Sequence, residues 1–453
     1  MAVFLFNKNN ILIKTKKVLL VYPEAFDLGW RGATSRLIDI STMFANAGWV
    51  VQMLSAREWY LSKDQRPQEK EFKGHVIRTP FTGGYPRIFD RNRYLRRIFR
   101  IYWRIRGNEY YRNQLSLDWS KQTAKWVPKC WPYLEPTIIW SVCTSNINGM
   151  IAGQALSRYF HCPYIIEFQD PPSGFSNTTT KLVKQCIRNS NGIITTTASY
   201  ADNIKKEFNL KEEKVITLYL ASHEQNVDDN ESMLPMVNRK LVFLHAGTLF
   251  ADPKQRCAHD FLHGMKQAIE LRPDIRVKIQ FRLVGAGPGK VASMQLAKSL
   301  CINEYLQCIN EVPLDRLAME INQSDVLIVI KYPHSAYDMQ IPGKIFQYLG
   351  FHKPILGIMR SNCEAASILK QSGLGHIVAP GNIDAIASYI IDTVDNCAHL
   401  SEKYPPNNEF IKQFDLDSMG AKGMKFICNI INQGFESIAG EESRKSLGGG
   451  YAS

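Results

Sequence analysis

The chain has 453 residues, 45% hydrophobic and 21% charged, with a formal net charge of +13 and a pI near 9.1. That length and balance describe a globular protein of two large domains, each able to bury its own core. The basic excess calls for an anionic partner (nucleic acid, acidic lipid or a phosphorylated substrate) and says nothing about fold.

Ten cysteines are scattered with no Cys-x-x-Cys pair, which excludes a disulfide framework or zinc ribbon and suits reduced thiols in a cytosolic protein. No apolar run approaches the ~20 residues needed to span a bilayer. The opening "MAVFLFNKNNILIKTKK" has no basic stretch ahead of its apolar part, so residues 1–15 read as an extension and not as a signal peptide. The closing "ESRKSLGGGYAS" is small and polar, and 436–453 is expected to be a disordered tail.

In chain order, "KVLLVY" predicts a strand, "TSRLIDISTMFANAG" an amphipathic helix stopped by Gly48, and "WVVQMLSA" a second strand. The rhythm resumes with strands "TIIWSV", "PYIIEFQD", "GIITTT" and "KVITLYL", alternating with helical stretches. These runs are rich in Ile and Val and lack alternation, as parallel strands covered on both faces require. A polar, acidic break marks a linker at 226–239. The second half repeats the pattern with "KLVFLHAG", "VKIQFRLVGAG", "YLQCINEV", "DVLIVI", "PILGIM" and "GHIVAP", and 399–435 shows only helical periodicity. The expected domains are therefore 16–225 and 240–398. Each is an open, mostly parallel sheet of the kind that binds ligands beyond the carboxyl ends of its strands.

Four post-strand loops suit phosphate. In "LGWRGATSR", Gly29 and Gly32 allow close backbone approach and Thr34 or Ser35 can cap the helix, although an ordinary capped turn fits equally well. "HAGTLFADPK" ends a buried strand with Gly247 and Thr248 and adds the charge of Lys254. "LVGAGPGK" carries Gly285, Gly287 and Gly289, but their spacing misses the dinucleotide fingerprint and a simple turn explains them. In "IPGKIFQYL", Pro342 suits a first helical turn, Gly343 offers no side chain to obstruct a ligand, and Lys344 aims a cation at it. The pair His259 and His263 in "HDFLH" resembles a zinc-protease helix, but no third ligand accompanies it.

The order Gly-Thr-Leu, Leu-Val-Gly-Ala-Gly-Pro, "SDVLIVI" and "PGKIFQYLGFHKPILGI" resembles the donor domain of GT-B glycosyltransferases, and within them the large family-four group of retaining, nucleotide-sugar-dependent enzymes. "IIEFQDP" in the first half agrees with some members. The resemblance implies an α/β chain of GT-B fold, with two Rossmann-like doubly wound parallel-sheet domains facing a cleft. It implies that Gly247, Thr248, Lys254, Gly343 and Lys344 hold the donor diphosphate, and that Gly285, Gly287, Val312, Pro313 and Gln347 border the nucleotide. Many members carry two glutamates eight positions apart; here those places hold Met339 and Gln347. Gln347 can still hydrogen-bond ribose hydroxyls, whereas Met339 cannot act as acid or base, which leaves Asp338 and Gln340 as sugar contacts and Gly32 on the acceptor side. Asp170, at the end of a buried strand, is a candidate to orient or deprotonate an acceptor hydroxyl, with a turn-capping role as the alternative. Glu167 should share its strand face.

The expected activity is transfer of a sugar from a nucleoside diphosphate sugar to a glycan or lipid-linked acceptor in cell-surface polysaccharide synthesis. No cofactor or metal is expected, since neither half shows an Asp-x-Asp clamp in a suitable loop. A nucleotide-sugar epimerase and a non-catalytic binding or scaffold protein on the same fold remain as alternatives. The basic insertion 87–113 would, if helical, place Leu95, Ile98, Phe99, Tyr102 and Ile105 on one stripe and Arg93, Arg97, Arg100 and Arg104 on another. That pattern suits an anionic membrane surface more than nucleic acid, and it predicts a cytoplasmic protein peripheral to the inner membrane face. The competing reading packs the apolar stripe on the protein's own core. In liposome flotation the chain should rise with anionic vesicles and stay behind with neutral ones; equal, negligible binding to both would remove the membrane reading.

Overall fold

A computed structural model of the chain describes residues 15–23, 25, 32–56, 67–80, 108–144, 147–170, 177–223, 239–285 and 287–447. The stripes expected at Arg93 to Ile105, Gly29 and nearly all of the expected linker lie outside these residues. The chain divides into two compact units, Met1–Tyr219 with Met419–Ser453, and Leu220–Ser418.

The first unit carries β1 (Lys17–Val21), α1 (Gly32–Asn46), β2 (Val50–Ser55), β3 (His75–Arg78), α2 (Asn108–Cys130), β4 (Ile138–Cys143), α3 (Asn148–Phe160), β5 (Tyr164–Phe168), α4 (Asn177–Asn189), β6 (Gly192–Thr195), α5 (Ala198–Phe208) and β7 (Val215–Thr217). All strand pairs are parallel, in the order β3-β2-β1-β4-β5-β6-β7. The order reverses between β1 and β4, where an open sheet of this type leaves its crevice. Every residue of β4 and β5 is buried, which explains their largely apolar sequences, IIWSVC and YIIEF. β3 escapes the sequence reading because it is a four-residue edge strand whose ends are His75 and Arg78.

The second unit carries β8 (Leu241–Ala246), α6 (His259–Leu271), β9 (Ile279–Val284), α7 (Pro288–Ser299), β10 (Leu306–Ile309), α8 (Leu314–Asn322), β11 (Val326–Ile330), α9 (Lys344–Leu349), β12 (Ile355–Ile358), α10 (Glu364–Gln371), β13 (Gly375–Val378), α11 (Ile383–Asp395), α12 (Leu400–Lys403) and α13 (Asn408–Lys412). Its parallel order is β10-β9-β8-β11-β12-β13, with the reversal between β8 and β11. Phe243, Phe261 and Phe281 form the centre of its core, with ring centroids 5.6 and 4.5 Å apart.

The last helix, α14 (Leu416–Leu447), crosses the boundary between the units near its start. Met419, Phe426, Ile427, Ile430 and Ile431 join the core of the first unit, together with Val18, Leu20 and Trp140. The expected 399–435 segment is thus shared between the two units. The tail expected to be disordered from 436 is instead helical backbone to Leu447, because the run Glu441 to Lys445 contains helix-forming residues and no proline.

One buried ion pair fixes the carboxyl-end geometry of the first unit. Arg36, from α1, donates through Nε to Glu167 Oε1 on β5 at 2.9 Å, and its terminal nitrogens reach the carbonyls of Tyr219 and Leu218. Trp140 Nε1 donates to the other carboxylate oxygen at 2.9 Å. Arg36 and Glu167 are 2% and 0% exposed, so the charges survive burial only because each has partners on several sides. Arg36→Met should cost ~3–5 kcal/mol in urea unfolding at neutral pH by stranding the carboxylate. Arg36→Met/Glu167→Leu should cost less than the sum of the single changes.

Candidate anion-binding site

The site is built where the second sheet reverses. β8 ends in His245 and Ala246 and passes into Gly247; α9, following β11, begins at Lys344. The Lys344 ammonium donates to the Ala246 carbonyl and lies 3.0 Å from His245 Nε2. The other ring nitrogen of His245, Nδ1, lies 3.0 Å from the Ile328 carbonyl on β11. A carbonyl can only accept, so Nδ1 carries the hydrogen and Nε2 is left as an acceptor for Lys344. Tyr348, one turn further along α9, accepts at its hydroxyl from Ala246 N at 2.9 Å, which fixes α9 against the strand end.

Gly247 permits this approach. Its φ is +122°, and a Cβ built there would lie 2.9 Å from Lys344 Nζ. Gly285 is bound to the same feature: at φ +147°, its Cβ would lie 2.6 Å from the Gly247 carbonyl oxygen. The glycines of "LVGAGPGK" thus have a packing role, holding the β9–α7 turn against residues 247–249. Gly247, Leu249, Leu283, Val284, Gly285 and Lys290 line a small depression there.

Burial, and then the charge of Arg256, pull the Lys344 ammonium down to about 7. Burial is also the main force that drives His245 well below the ordinary imidazole range, with Lys344 and Arg256 adding to it. Arg256 lies over Phe250 and Tyr332, 5.6 and 5.2 Å from their centroids, and its buried Nε has no hydrogen-bond partner among the described residues. No described carboxylate forms an ion pair with Lys344. A cationic site without its own counter-charge is suited to an anion brought by a ligand.

Several expected residues are placed differently. Lys254, expected to hold the diphosphate together with Lys344, lies on the loop after Gly247. Phe250 N donates to the Arg256 carbonyl at 2.7 Å, closing the loop between them and leaving Lys254 exposed on it, with its own N–H bonded to Asp252. The charge that acts on Lys344 from this loop is that of Arg256. Gly343 caps α9 in ordinary helical conformation; what excludes a side chain there is Leu220, 2.9 Å from the Cβ position. Pro342 precedes the cap, and its carbonyl accepts from Ile345 N. Asp338 is engaged: Arg360 Nε donates to it at 3.1 Å, and Lys331 lies 4.0 Å away. Gln340 and Gln347 are half-buried, Thr248 is exposed, and Val312 and Pro313 follow the edge strand β10.

In the first unit, Glu167 is occupied by Arg36 and Trp140. Asp170 makes no hydrogen bond or ion pair with a described residue, and burial raises its carboxyl above the usual range. Gly32 opens α1, which places Thr34 and Ser35 inside the first turn and not at its cap. The rings of His259 and His263 lie 4.4 Å apart on α6, tilted by 46°.

His245 and Arg256 were not singled out as site residues from sequence. The one signal was the dipeptide His245-Ala246 ahead of a strand-ending glycine; the place of Arg256 depends on a loop closure that spacing does not show.

No family model matches the sequence, and no curated protein matches it. Solved structures do. A glycosyltransferase from Rickettsia africae superimposes with a TM-score of 0.65 at 13% identity, covering 92% of this chain and 99% of that one. Sucrose-phosphate synthase from Thermosynechococcus elongatus gives 0.63 at 12% identity, covering 92% and 100%. Anabaena HepE, solved with UDP and glucose, gives 0.60 at 13% identity, covering 91% and 99%. The chain therefore has the two-domain GT-B fold, with a Rossmann-like parallel sheet in each domain.

Gly247→Ala should displace the Lys344 ammonium and add ~1–3 kcal/mol of backbone strain. Thermal unfolding should register the strain, and equilibrium dialysis with a nucleotide sugar should show binding at least about tenfold weaker, the equivalent of ~1.4 kcal/mol.

Proposed function

We propose that the protein is a glycosyltransferase that takes a sugar from a nucleoside diphosphate sugar bound in the second unit. The observation that carries this is the Lys344 ammonium, set against Gly247 at the switch point of the sheet, with the charge of Arg256 acting on it and no carboxylate among the described residues paired to it. In glycosyl transfer, negative charge builds on the departing diphosphate. Cations already in place stabilise that charge without reorganising. Gln347, a neutral amide, serves as a hydrogen-bonding contact to ribose. Gly285, Gly287, Val312 and Pro313 border the nucleotide, and Gln340 contacts the sugar.

The acceptor belongs to the first unit in this reading, with Asp170 oriented toward its hydroxyl. A carboxyl whose ionised form is disfavoured by burial is suited to accept a proton. The acceptor class is a glycan or a lipid-linked glycan of a surface polysaccharide, reached at the inner membrane face through 87–113. Transfer with retention and without a metal follows the family resemblance. A non-catalytic nucleotide-sugar-binding protein is the second reading, favoured by Met339 and Gln347 standing where many such enzymes carry glutamates.

Incubation with a panel of nucleotide sugars should release free nucleoside diphosphate slowly. Lys344→Met should lower the rate by ~10²–10³, the usual cost of losing one transition-state charge contact. Arg256→Gln should lower it substantially, and Lys254→Ala only slightly. Equal rates for the wild type and Lys344→Met would refute the assignment. Isomerised sugar nucleotide would identify an epimerase, and binding without turnover across donors and acceptors would favour the binding protein.

A further inference from the structure

The Lys344 site raises a question that diphosphate binding alone does not answer: how a half-buried ammonium is held before any anion arrives. Its neighbours are the Ala246 carbonyl and His245 Nε2 on β8, the backbone of Gly247, and the charge of Arg256 from the 250–256 loop. His245 is in turn faced by the Ile328 carbonyl on β11, by Lys344 and by Arg256. On α9 itself, the Tyr348 hydroxyl is turned to Ala246 N. Among the described residues, every group acting on the pair is thus a neutral acceptor or another cation.

A histidine in this setting has one stable form. Protonation at Nε2 would place a second hydrogen against the Lys344 ammonium 3.0 Å away and create a third positive charge beside Arg256. The carbonyl of Ile328 holds the hydrogen on Nδ1, so Nε2 is a permanent acceptor. We propose that His245 is a positioning residue that holds the Lys344 amine through Nε2, and that this pair takes up a proton from solvent when a diphosphate docks. The inference rests on the reading of the site as a diphosphate site.

The direction follows from linkage. In the free protein the amine is driven toward its neutral form by burial and by Arg256, with a midpoint about 7. A bound diphosphate contributes the missing counter-charge and favours the ammonium. Below that midpoint the proton is already present and binding takes up almost none. Above it, binding takes up a fraction approaching one proton, and affinity falls about tenfold for each further pH unit until the bound-state midpoint is passed.

Two measurements on the full chain test this. In the first, the protein is labelled with ¹⁵N-histidine and titrated without ligand, the His245 signals being assigned by their loss in His245→Gln. The His245 ring should keep its Nδ1–H form down to pH 5.5, while its Nε2 resonance moves with a midpoint near 7 that vanishes in Lys344→Met. In the second, calorimetry with UDP-glucose, whose diphosphate does not titrate in this range, is run in buffers of low and high ionisation enthalpy. Proton uptake should be close to zero at pH 6 and approach one at pH 8. His245→Phe should weaken binding and change its pH profile, and His245→Gln, which restores an acceptor, should recover most of the affinity.

An ordinary imidazole titration near pH 6.5 at His245, or binding at pH 8 with no proton uptake, would overturn the proposal. Failure of UDP-glucose and of a wider nucleotide-sugar panel to bind would count against the glycosyltransferase reading instead. The ligand-free ring titration would still decide whether His245 and Lys344 act as a pair.

Discussion

The second unit is organised around the contact between one amine and one strand end. Lys344 can reach the Ala246 carbonyl and His245 only because Gly247 presents no Cβ. Gly247 can adopt that conformation only because its neighbours also leave space, Gly285 among them. The Tyr348 hydroxyl then fixes the helix that carries the lysine to the same strand. Each of these features holds a cation that no carboxylate among the described residues neutralises.

The first unit treats burial of charge in the opposite way. There Arg36 and Glu167 neutralise each other inside the sheet-helix interface, and Trp140 and two backbone carbonyls satisfy the remaining hydrogen-bonding groups. Such a pair holds α1 to the end of β5 and has no capacity left for chemistry. The contrast separates structural from functional charge on physical grounds. A carboxylate engaged by an arginine and an indole is part of the scaffold, whereas an amine with only neutral acceptors and an arginine around it among the described residues is open to a ligand.

The loop between β11 and α9 shows a third arrangement. Lys331 bonds to the Tyr337 carbonyl, and Arg360 grips Asp338, while Tyr337 stacks on Tyr332 with centroids 4.2 Å apart. Tyr332 in turn lies under Arg256. The loop and the second cation of the site are therefore joined by one aromatic stack, so the position of Arg256 depends on residues well separated from it in sequence.

The alternation of β-branched strands with amphipathic helices was enough to reveal two parallel sheets, since strands covered on both faces must be apolar throughout. The strand-ending glycines and Lys344 could be read for the same reason: close backbone approach needs glycine wherever it occurs. Edge strand β3 and the return of α14 to the first unit could not, because short polar-ended strands and the docking partner of an amphipathic helix leave no periodic mark. Nor could sequence decide between Lys254 and Arg256, two cations on one loop, or distinguish the engaged Glu167 and Asp338 from Asp170, which has no partner among the described residues. Residue type determines what a side chain can offer. Which groups face one another, and how much water lies between them, is set only when the chain is folded, and it is that proximity and dryness which turn a lysine into a site.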